Sequence, residues 1–449
     1  MKNAFHAYDI RGIYNQDFNK DDVYKIGFFI SQLLDTKDIV VGRDGRLSSP
    51  EIHDALLKGI TDSGANVHDI GLATTPMVYF ATANYGFKAG VQITASHNPA
   101  EYNGLKISRE NALPVGYDSG LEELEKLASS APIKIADTKG KVIEMDIRHD
   151  YVEFQKKYVK DFDSINIGVD ISNGAASVII HDIWQSNFHY INSDLDGRFP
   201  NHSPNPLLPE NTLQMQQLVR EKGLDAGLVF DGDADRVVFV DDMGRQVKPD
   251  LIIAAMGPYF LSGGNSLQYP NKLVIEDIRT SRSVGEYLKR FGAEMYLWKV
   301  GRANAAPRLR EINGVYGGEF AGHYYFRDFF FSDSGIMAAN IMLQIVAKLK
   351  KQGKKLSELI DEITRYHNSG EINFKLEDKR GAMERVKDFY VSREKPTAFY
   401  DFDGYRVEYS DWWFNIRMSN TEPYLRLLCE AKTKELLDEK LKEISAMIY

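Results

Sequence analysis

Cysteine is nearly absent, with Cys429 the single thiol in 449 residues. That excludes an internal disulfide and a cysteine-based metal cluster, and the strand-like neighbours Leu427, Leu428 and Glu430 predict a buried structural thiol. Redox chemistry is not expected. Long hydrophobic runs are missing too. The longest, Leu251 to Leu261, is broken by Gly257 and Pro258 and falls short of the roughly 20 residues a membrane span needs. The N-terminal MKNAFHAYDIRG has no apolar segment of signal-peptide length, so the expectation is a cytoplasmic protein. Positive charge is in deficit, 55 Lys and Arg against 64 Asp and Glu for a net charge of −9. That sign opposes general attraction to nucleic acid or anionic lipid, so an anionic ligand needs a local group of cations.

What remains is an ordinary globular composition, 43% hydrophobic and 27% charged. At about 100–200 residues per domain the length predicts roughly three domains, or four. Ile39-Val40-Val41 followed by the polar GRDGRLSSP and then Ile52, Leu56, Leu57 and Ile60 near helical spacing reads as strand, loop, helix. Ser48 three residues before Glu51 predicts a capping box, with Pro50 suited to the first turn. The same order recurs from Ile167 and from Leu273. Three such modules predict three topologically related α/β domains whose loops face a shared cleft. The last segment alternates like half-buried strands in GYRVEYS, WWFNIRMS and YLRLLCEA and ends in an amphipathic helix carrying Leu437, Leu441, Ile444 and Ile448, a small α+β domain. Boundaries are expected near 146, 249 and 368, the last inside the polar RYHNSGEIN, whose glycine could serve as a hinge. FPNHSPNPLLPE, from Phe199 to Glu210, is expected to be an ordered loop.

Four stretches carry chemistry. Asp231-Gly-Asp233-Ala-Asp235-Arg236 sits in a turn between two apolar runs, and carboxylates at alternate positions can converge on one hard divalent cation. A calcium-loop reading fails because Arg236 stands where that loop needs glycine, and because strands rather than helices flank it. Thr94-Ala-Ser96-His97-Asn98-Pro99 places a serine on a tight loop, with Lys106 shortly beyond. Alone it is equally a Ser/Asn/Pro turn, and no Gly-x-Ser-x-Gly elbow supports a hydrolase triad. Arg417-Met-Ser419-Asn420-Thr421-Glu422-Pro423, with Arg426 beyond, offers guanidinium and hydroxyl groups suited to a phosphate dianion, or else is a hairpin turn with solvated arginines. Gly317-Gly318-Glu319-Phe320-Ala321-Gly322-His323 presents one carboxylate and one imidazole, as sugar hydroxyls would require.

Taken in their order along the chain, the four stretches resemble the loops of the α-D-phosphohexomutase superfamily, most closely its phosphomannomutase/phosphoglucomutase branch, over the whole chain. TASHNP is similar to the phosphoserine loop, DGDADR to the metal loop, GEFAGH to the sugar-recognition loop and RMSNTEP to the phosphate loop of the fourth domain. Tyr8-Asp-Ile-Arg11-Gly12, GRDGRLSS, Thr75-Pro76 and FPNHSPNP extend the likeness. It implies a phosphoserine domain (1–146), a metal-binding domain (147–249), a sugar-recognition domain (250–368) and a C-terminal phosphate-binding domain (369–449). It further implies an intramolecular phosphotransferase interconverting hexose 1-phosphate and hexose 6-phosphate of mannose or glucose. In that reading Ser96 carries the phosphoryl group, and one of its oxygens joins Asp231, Asp233 and Asp235 around Mg²⁺. Arg236 and His97 support the transfer, and Arg11, Lys106 and His323 are candidates for the proton. Gly301, Arg302, Glu319 and His323 would bind the sugar, while Arg279, Arg417, Ser419, Asn420, Thr421 and Arg426 would grip the distant phosphate. A hexose 1,6-bisphosphate, intermediate and activator, must turn end for end.

Three residues depart from the branch's pattern: Ala321 where Glu-x-Ser-Gly-His has serine, Arg302 where histidine is common, and Arg279 where lysine is frequent. Phosphoglucosamine is the rival substrate. A sugar-phosphate-binding protein that has lost activity, and a metal-dependent phosphatase, are the rival classes. The partner is a hexose phosphate, with no nucleic acid or membrane, and monomer and homodimer are both open.

Overall fold

The computed structural model of the chain describes residues 1, 3–184, 188–263, 269–419 and 423–448. Asn420 and Thr421, expected in the phosphate loop, lie outside the described residues. Ile39 to Gly42 of the strand Asp38–Arg43 are all buried, the pattern of a central parallel strand covered on both faces. Across its sheet the order is Ile10–Ile13, Tyr102–Arg109, Ala89–Ile93, Asp38–Arg43, Asn66–Leu72 and Val142–Glu144, antiparallel at Tyr102–Arg109 and parallel thereafter. A second sheet orders Val237–Asp241, Ala226–Phe230, Ile167–Asp170 and His189–Ile191, the first pair antiparallel and the rest parallel. In the third, Glu294–Trp298, Leu273–Asp277 and Tyr316–Gly318 run parallel, then Tyr324–Phe326 and Ser332–Asp333 antiparallel. The fourth is antiparallel, built on Tyr405–Glu408, Trp412–Met418 and Leu425–Ala431. His367–Asn368 and Ile372–Phe374 both pair with its Leu425–Ala431 strand, and the helix Lys434–Ile448 closes it. These are three mixed α/β domains and a C-terminal α+β domain.

Two local expectations change. Pro50 opens the helix Ser49–Asp62, but the capping box does not form: Ser48 caps nothing and instead accepts from Asn103, while Glu51 accepts from Tyr14. The helix expected after Ile167–Asp170 shrinks to a 3₁₀ turn, Ala175–Val178, and four residues, Ile180–Ile183. Its start is diverted because Ser172 and Asn173 take left-handed φ values of 54° and 53°. Gly174 then lies so close to the Asp231 turn that a Cβ would meet the Gly232 carbonyl at 2.7 Å. The FPNHSPNPLLPE loop is pinned as expected, His202 Nε2 lying 3.0 Å from Asp170 and Asn211 donating to Ser203 and the Asn205 carbonyl. Cys429 is buried in its strand.

One continuous apolar core runs from Met77 and Phe80 through Trp184 and Phe230 to Ile336 and Leu343, welding the first three domains together. The fourth domain keeps its own, from Phe374 to Ile448. It meets the third through exchanged arginines: Arg282 donates to Glu408 and, at 2.6 Å, to the Tyr409 carbonyl, while Arg406 donates to the carbonyls of Ile278 and Thr280. A polar junction of this kind lets a domain shift without tearing a core. No helix among the described residues is long and apolar enough to cross a membrane. Phe414 is fully buried against Tyr390 and Trp412, so Phe414→Ala should cost about 3–5 kcal/mol in a urea titration. A loss below about 1 kcal/mol would contradict a closed core in the fourth domain.

Candidate active site

Ser96 follows a wholly buried strand, Ala89–Ile93, and adopts a left-handed φ of 50°, a conformation that costs a non-glycine residue about 1–3 kcal/mol. Arg46, from the GRDGRLSS loop and itself buried, holds the serine turn in that shape. Its guanidinium donates to the carbonyls of Ser96 (2.9 Å), Asn98 (2.7 Å), Pro99 (2.6 Å) and Tyr102 (3.0 Å), and Asp44 balances its charge. The turn aims Ser96 across the domain boundary. Ser96 Oγ donates to Asp231 Oδ2 at 2.8 Å and accepts from Arg236 Nη2 at 3.1 Å. His97 Nδ1 lies 3.3 Å from the same oxygen. Burial, then Arg236, Arg11 and Lys106, hold the His97 pKa well below its ordinary value, so the ring is neutral. Arg11 donates to Asn98 Oδ1 at 2.7 Å and to Asp9.

Asp231, Asp233 and Asp235 converge on the turn, all buried, their oxygens within 4.8 Å of one another. Burial first, then Asp235 and Asp233, push the Asp231 pKa up. First-domain groups partly offset this repulsion. Lys106 Nζ donates to Asp233 Oδ2 (2.7 Å) and Asp235 Oδ2 (2.5 Å), and Thr75 Oγ1 donates to Asp233 Oδ2 (2.5 Å). Burial lowers the Lys106 pKa, but Asp233 and Asp235 outweigh it and raise it well above its ordinary value, so the ammonium keeps its proton. Oδ1 of Asp233 and Oδ1 of Asp235 are buried and accept no hydrogen bond. Unsatisfied carboxylate oxygens in an all-oxygen group fit a hard divalent cation.

The third domain closes the other side. An isolated bridge joins Arg236 to His323, and Gly335 N–H donates to the Ala234 carbonyl at 3.2 Å. His323 Nδ1 lies 2.7 Å from Asp333 Oδ2. A carboxylate there makes Nδ1 the donor, and although burial lowers the His323 pKa, Asp235 and Asp333 outweigh it and raise it above its ordinary value. Glu319 is buried, its Oε1 accepting from the Tyr325 hydroxyl at 2.6 Å and from Gly301 N–H at 3.1 Å. Gly301, at φ 102°, must be glycine, because a Cβ would meet the Tyr8 ring at 2.6 Å. Arg302, expected against the sugar, spends its donors inside the protein. It donates to Asp333 Oδ1 at 2.8 Å and the Ala112 carbonyl at 2.8 Å, with its guanidinium 3.7 Å from the Tyr79 ring centroid. A planar fork with a carboxylate on one side and an aromatic face on the other is a strut between the first and third domains.

Arg279, Arg417 and Arg426 also meet, around a residue the motifs did not include. Glu371, from the stretch expected to be a hinge, lies 3.2 Å from Arg279 Nη1, 3.6 Å from Arg417 Nη2 and 2.9 Å from Arg426 Nη1. Burial raises the Glu371 pKa, but the three guanidiniums lower it overall, so it is ionised. Arg279 is also held by Asp277 at 2.7 Å, and Arg417 lies 3.7 Å from Asp403. Ser419 stands at the end of the same hairpin, its N–H donating to the Tyr424 carbonyl at 2.9 Å. Arg46, Asp333 and Glu371 are the structural partners that motif reading passed over.

A serine hydroxyl facing three buried carboxylates, with a histidine and an arginine cluster supplied by further domains, is the site of a phosphoryl-transfer enzyme. Family descriptions match in four pieces: "Phosphoglucomutase/phosphomannomutase, alpha/beta/alpha domain I" over residues 2–131, domain II over 149–244, domain III over 248–366, and the C-terminal domain over 371–447. The phosphomannomutase of Escherichia coli is 36% identical over 460 residues, covering 99% of each chain. A protein named "Phosphohexose mutases" from Xanthomonas campestris is 35% identical over 453 residues, again covering 99% of each. The crystal structure of a phosphoglucomutase/phosphomannomutase family protein from Burkholderia thailandensis superposes with a TM-score of 0.88 at 27% identity, covering 100% of this chain and 97% of that one. The chain belongs to the phosphoglucomutase/phosphomannomutase family and is a phosphohexomutase.

Arg46 reaches the chemistry only through the backbone it holds. Arg46→Lys keeps the charge and loses the fork, and should lower kcat by about 10–10²-fold with KM within about threefold, since small misplacements of a reacting group carry penalties of that size. Steady-state kinetics checks this, and an unchanged kcat would contradict the role given to Arg46.

Proposed function

We propose that this phosphohexomutase interconverts the 1- and 6-phosphates of mannose and glucose, through a phosphoryl group on Ser96 and a hexose 1,6-bisphosphate. The observation that carries the reading is the 2.8 Å bond from Ser96 Oγ to Asp231, made across two domains and flanked by Arg236. Asp231, Asp233, Asp235 and an oxygen carried by Ser96 would hold Mg²⁺, which when bound supplies positive charge against the transferring phosphoryl group.

The chain's own residues do the rest. Arg236 Nη2 touches the oxygen from which the phosphoryl departs, and Lys106 holds a fixed ammonium among the aspartates. Phosphoryl transfer rests chiefly on such positioning and neutralisation. Of the three proton candidates, Lys106 is engaged by two carboxylates, and Arg11 by Asp9 and Asn98. His323, fixed by Asp333 and raised in pKa by Asp235 and Asp333, is the group left: in its neutral form Nε2 takes the proton from the attacking sugar hydroxyl as the sugar oxygen bonds phosphorus and the Ser96 Oγ–phosphorus bond breaks, Oγ keeping the electron pair beside Arg236 Nη2. After the bisphosphate has turned, its other phosphoryl group passes to Ser96 Oγ, and the sugar oxygen it leaves takes the proton from His323. Glu319 receives the sugar hydroxyls, and the arginines of the fourth domain grip the remote phosphate. The four roles fall to 1–146, 147–249, 250–368 and 369–449, in a cytoplasmic enzyme. Arg302, committed to Asp333 and Tyr79, gives no support to a loss of activity through that substitution.

Incubation with glucose 1,6-bisphosphate and Mg²⁺ should add one phosphoryl group at Ser96 by mass spectrometry. Ser96→Ala should carry none and lose kcat/KM by at least about 10³-fold. In a coupled assay mannose and glucose 1-phosphates should turn over faster than glucosamine 1-phosphate, and turnover of none of them would reject the mutase. Mg²⁺ should raise the thermal midpoint of the wild type and leave Asp231→Asn/Asp233→Asn unmoved. An equal rise in both would place the cation elsewhere.

A further inference from the structure

Arg417 and Arg426 stand directly opposite one another in the antiparallel pair Trp412–Met418 and Leu425–Ala431. Like charges at facing positions of a sheet repel, and Arg279 adds a third guanidinium from the neighbouring domain. Arg417 is nearly buried, and its Nε makes no hydrogen bond. Such a group of cations demands anions, and Asp277 and Asp403 each meet one of them. Glu371 is the carboxylate that touches all three. Oε2 faces Arg279 and Arg417, and Oε1 faces Arg426. Each arginine turns one nitrogen toward this carboxylate, and the oxygens of a phosphate dianion could take the same three positions. The carboxylate retains 17% side-chain exposure, so a ligand can reach it. It rides on the short link between His367–Asn368 and Ile372–Phe374, next to Gly370 at φ 71°, where a small backbone rotation moves it.

We propose that Glu371 is a built-in counter-ion that fills the distal phosphate site when no phosphate is there, is displaced as one arrives, and competes it off again. The inference rests on the reading of these arginines as the phosphate grip. It answers a difficulty that reading creates. Three guanidiniums converging on one phosphate, with no competitor for it, would hold that end of a bisphosphate so firmly that turning would stall, whereas a carboxylate returning to the site lowers the cost of release.

The test uses the full chain carrying Ser96→Ala, titrated calorimetrically with glucose 6-phosphate. Adding Glu371→Gln should tighten binding about tenfold, or about 1.4 kcal/mol, and adding Glu371→Asp should leave it within about threefold. With Ser96 intact, Glu371→Gln should lower both KM and kcat, the pattern of slowed release, which a merely structural lesion would not give. Arg417→Ala in the Ser96→Ala background is the control for the underlying reading. If it fails to weaken binding, the phosphate grip is misplaced. If it weakens binding while Glu371→Gln leaves affinity equal or lower, the counter-ion is overturned and the grip stands. Should Glu371→Gln not fold, Glu371→Ser reads the same exchange. Failure of both to fold would also overturn the proposal, because the carboxylate would then be a strut of the junction.

Discussion

Three carboxylates buried on one turn of six residues repel each other, and the arrangement of the molecule follows from how that repulsion is met. The second domain alone supplies Arg236. Most of the remaining compensation comes from the first domain, whose Lys106 and Thr75 reach Asp233 and whose Ser96 hydroxyl reaches Asp231, with His323 of the third domain 3.9 Å from Asp235. The acidic turn is thus a joint, stable only when the two domains are packed together. The shared apolar core keeps them so on one side, and on the other the Arg46 guanidinium lies 4.9 Å from the Phe199 ring centroid of the second domain. Two aspartate oxygens remain unsatisfied even then, which is the physical demand for a cation.

The same electrostatic problem appears with opposite sign at the other end of the site. Three arginines crowd together, and one carboxylate, Glu371, reaches all of them. One end is overloaded with negative charge and can take a cation. The other is overloaded with positive charge and can take an anion. In the proposed reaction a sugar bearing phosphate at either end would span such a pair, and its reversal would need both grips to yield. The fourth domain has a core of its own and an arginine-mediated junction, which that reversal could use.

Much of this could be read in the residues. The alternating aspartates of DGDADR, the strand that leads to Ser96 and the C-terminal alternation of GYRVEYS and WWFNIRMS each state their structure locally, through period and turn chemistry. What could not be read was pairing at a distance. Arg302 has no local sign that its partners are Asp333 and Tyr79. Glu371 sits in a polar stretch that reads as a hinge, and only the pairing of Ile372–Phe374 with Leu425–Ala431 brings it among the arginines. The facing of Arg417 and Arg426 was the missed clue, since two arginines at matched register in a hairpin require an anion. The helix after Ile167–Asp170 failed for a related reason: the backbone there is shaped by its contact with Gly232, some sixty residues on.

The most direct test of the joint is a crystal of the full chain soaked in Mn²⁺ and measured at the metal's absorption edge. The account predicts one anomalous peak at about 2.1–2.3 Å from oxygens of Asp231, Asp233 and Asp235, with the oxygen on Ser96 completing the set from the first domain. A peak instead between Asp235, His323 and Asp333, or Ser96 turned away from the metal, would contradict it.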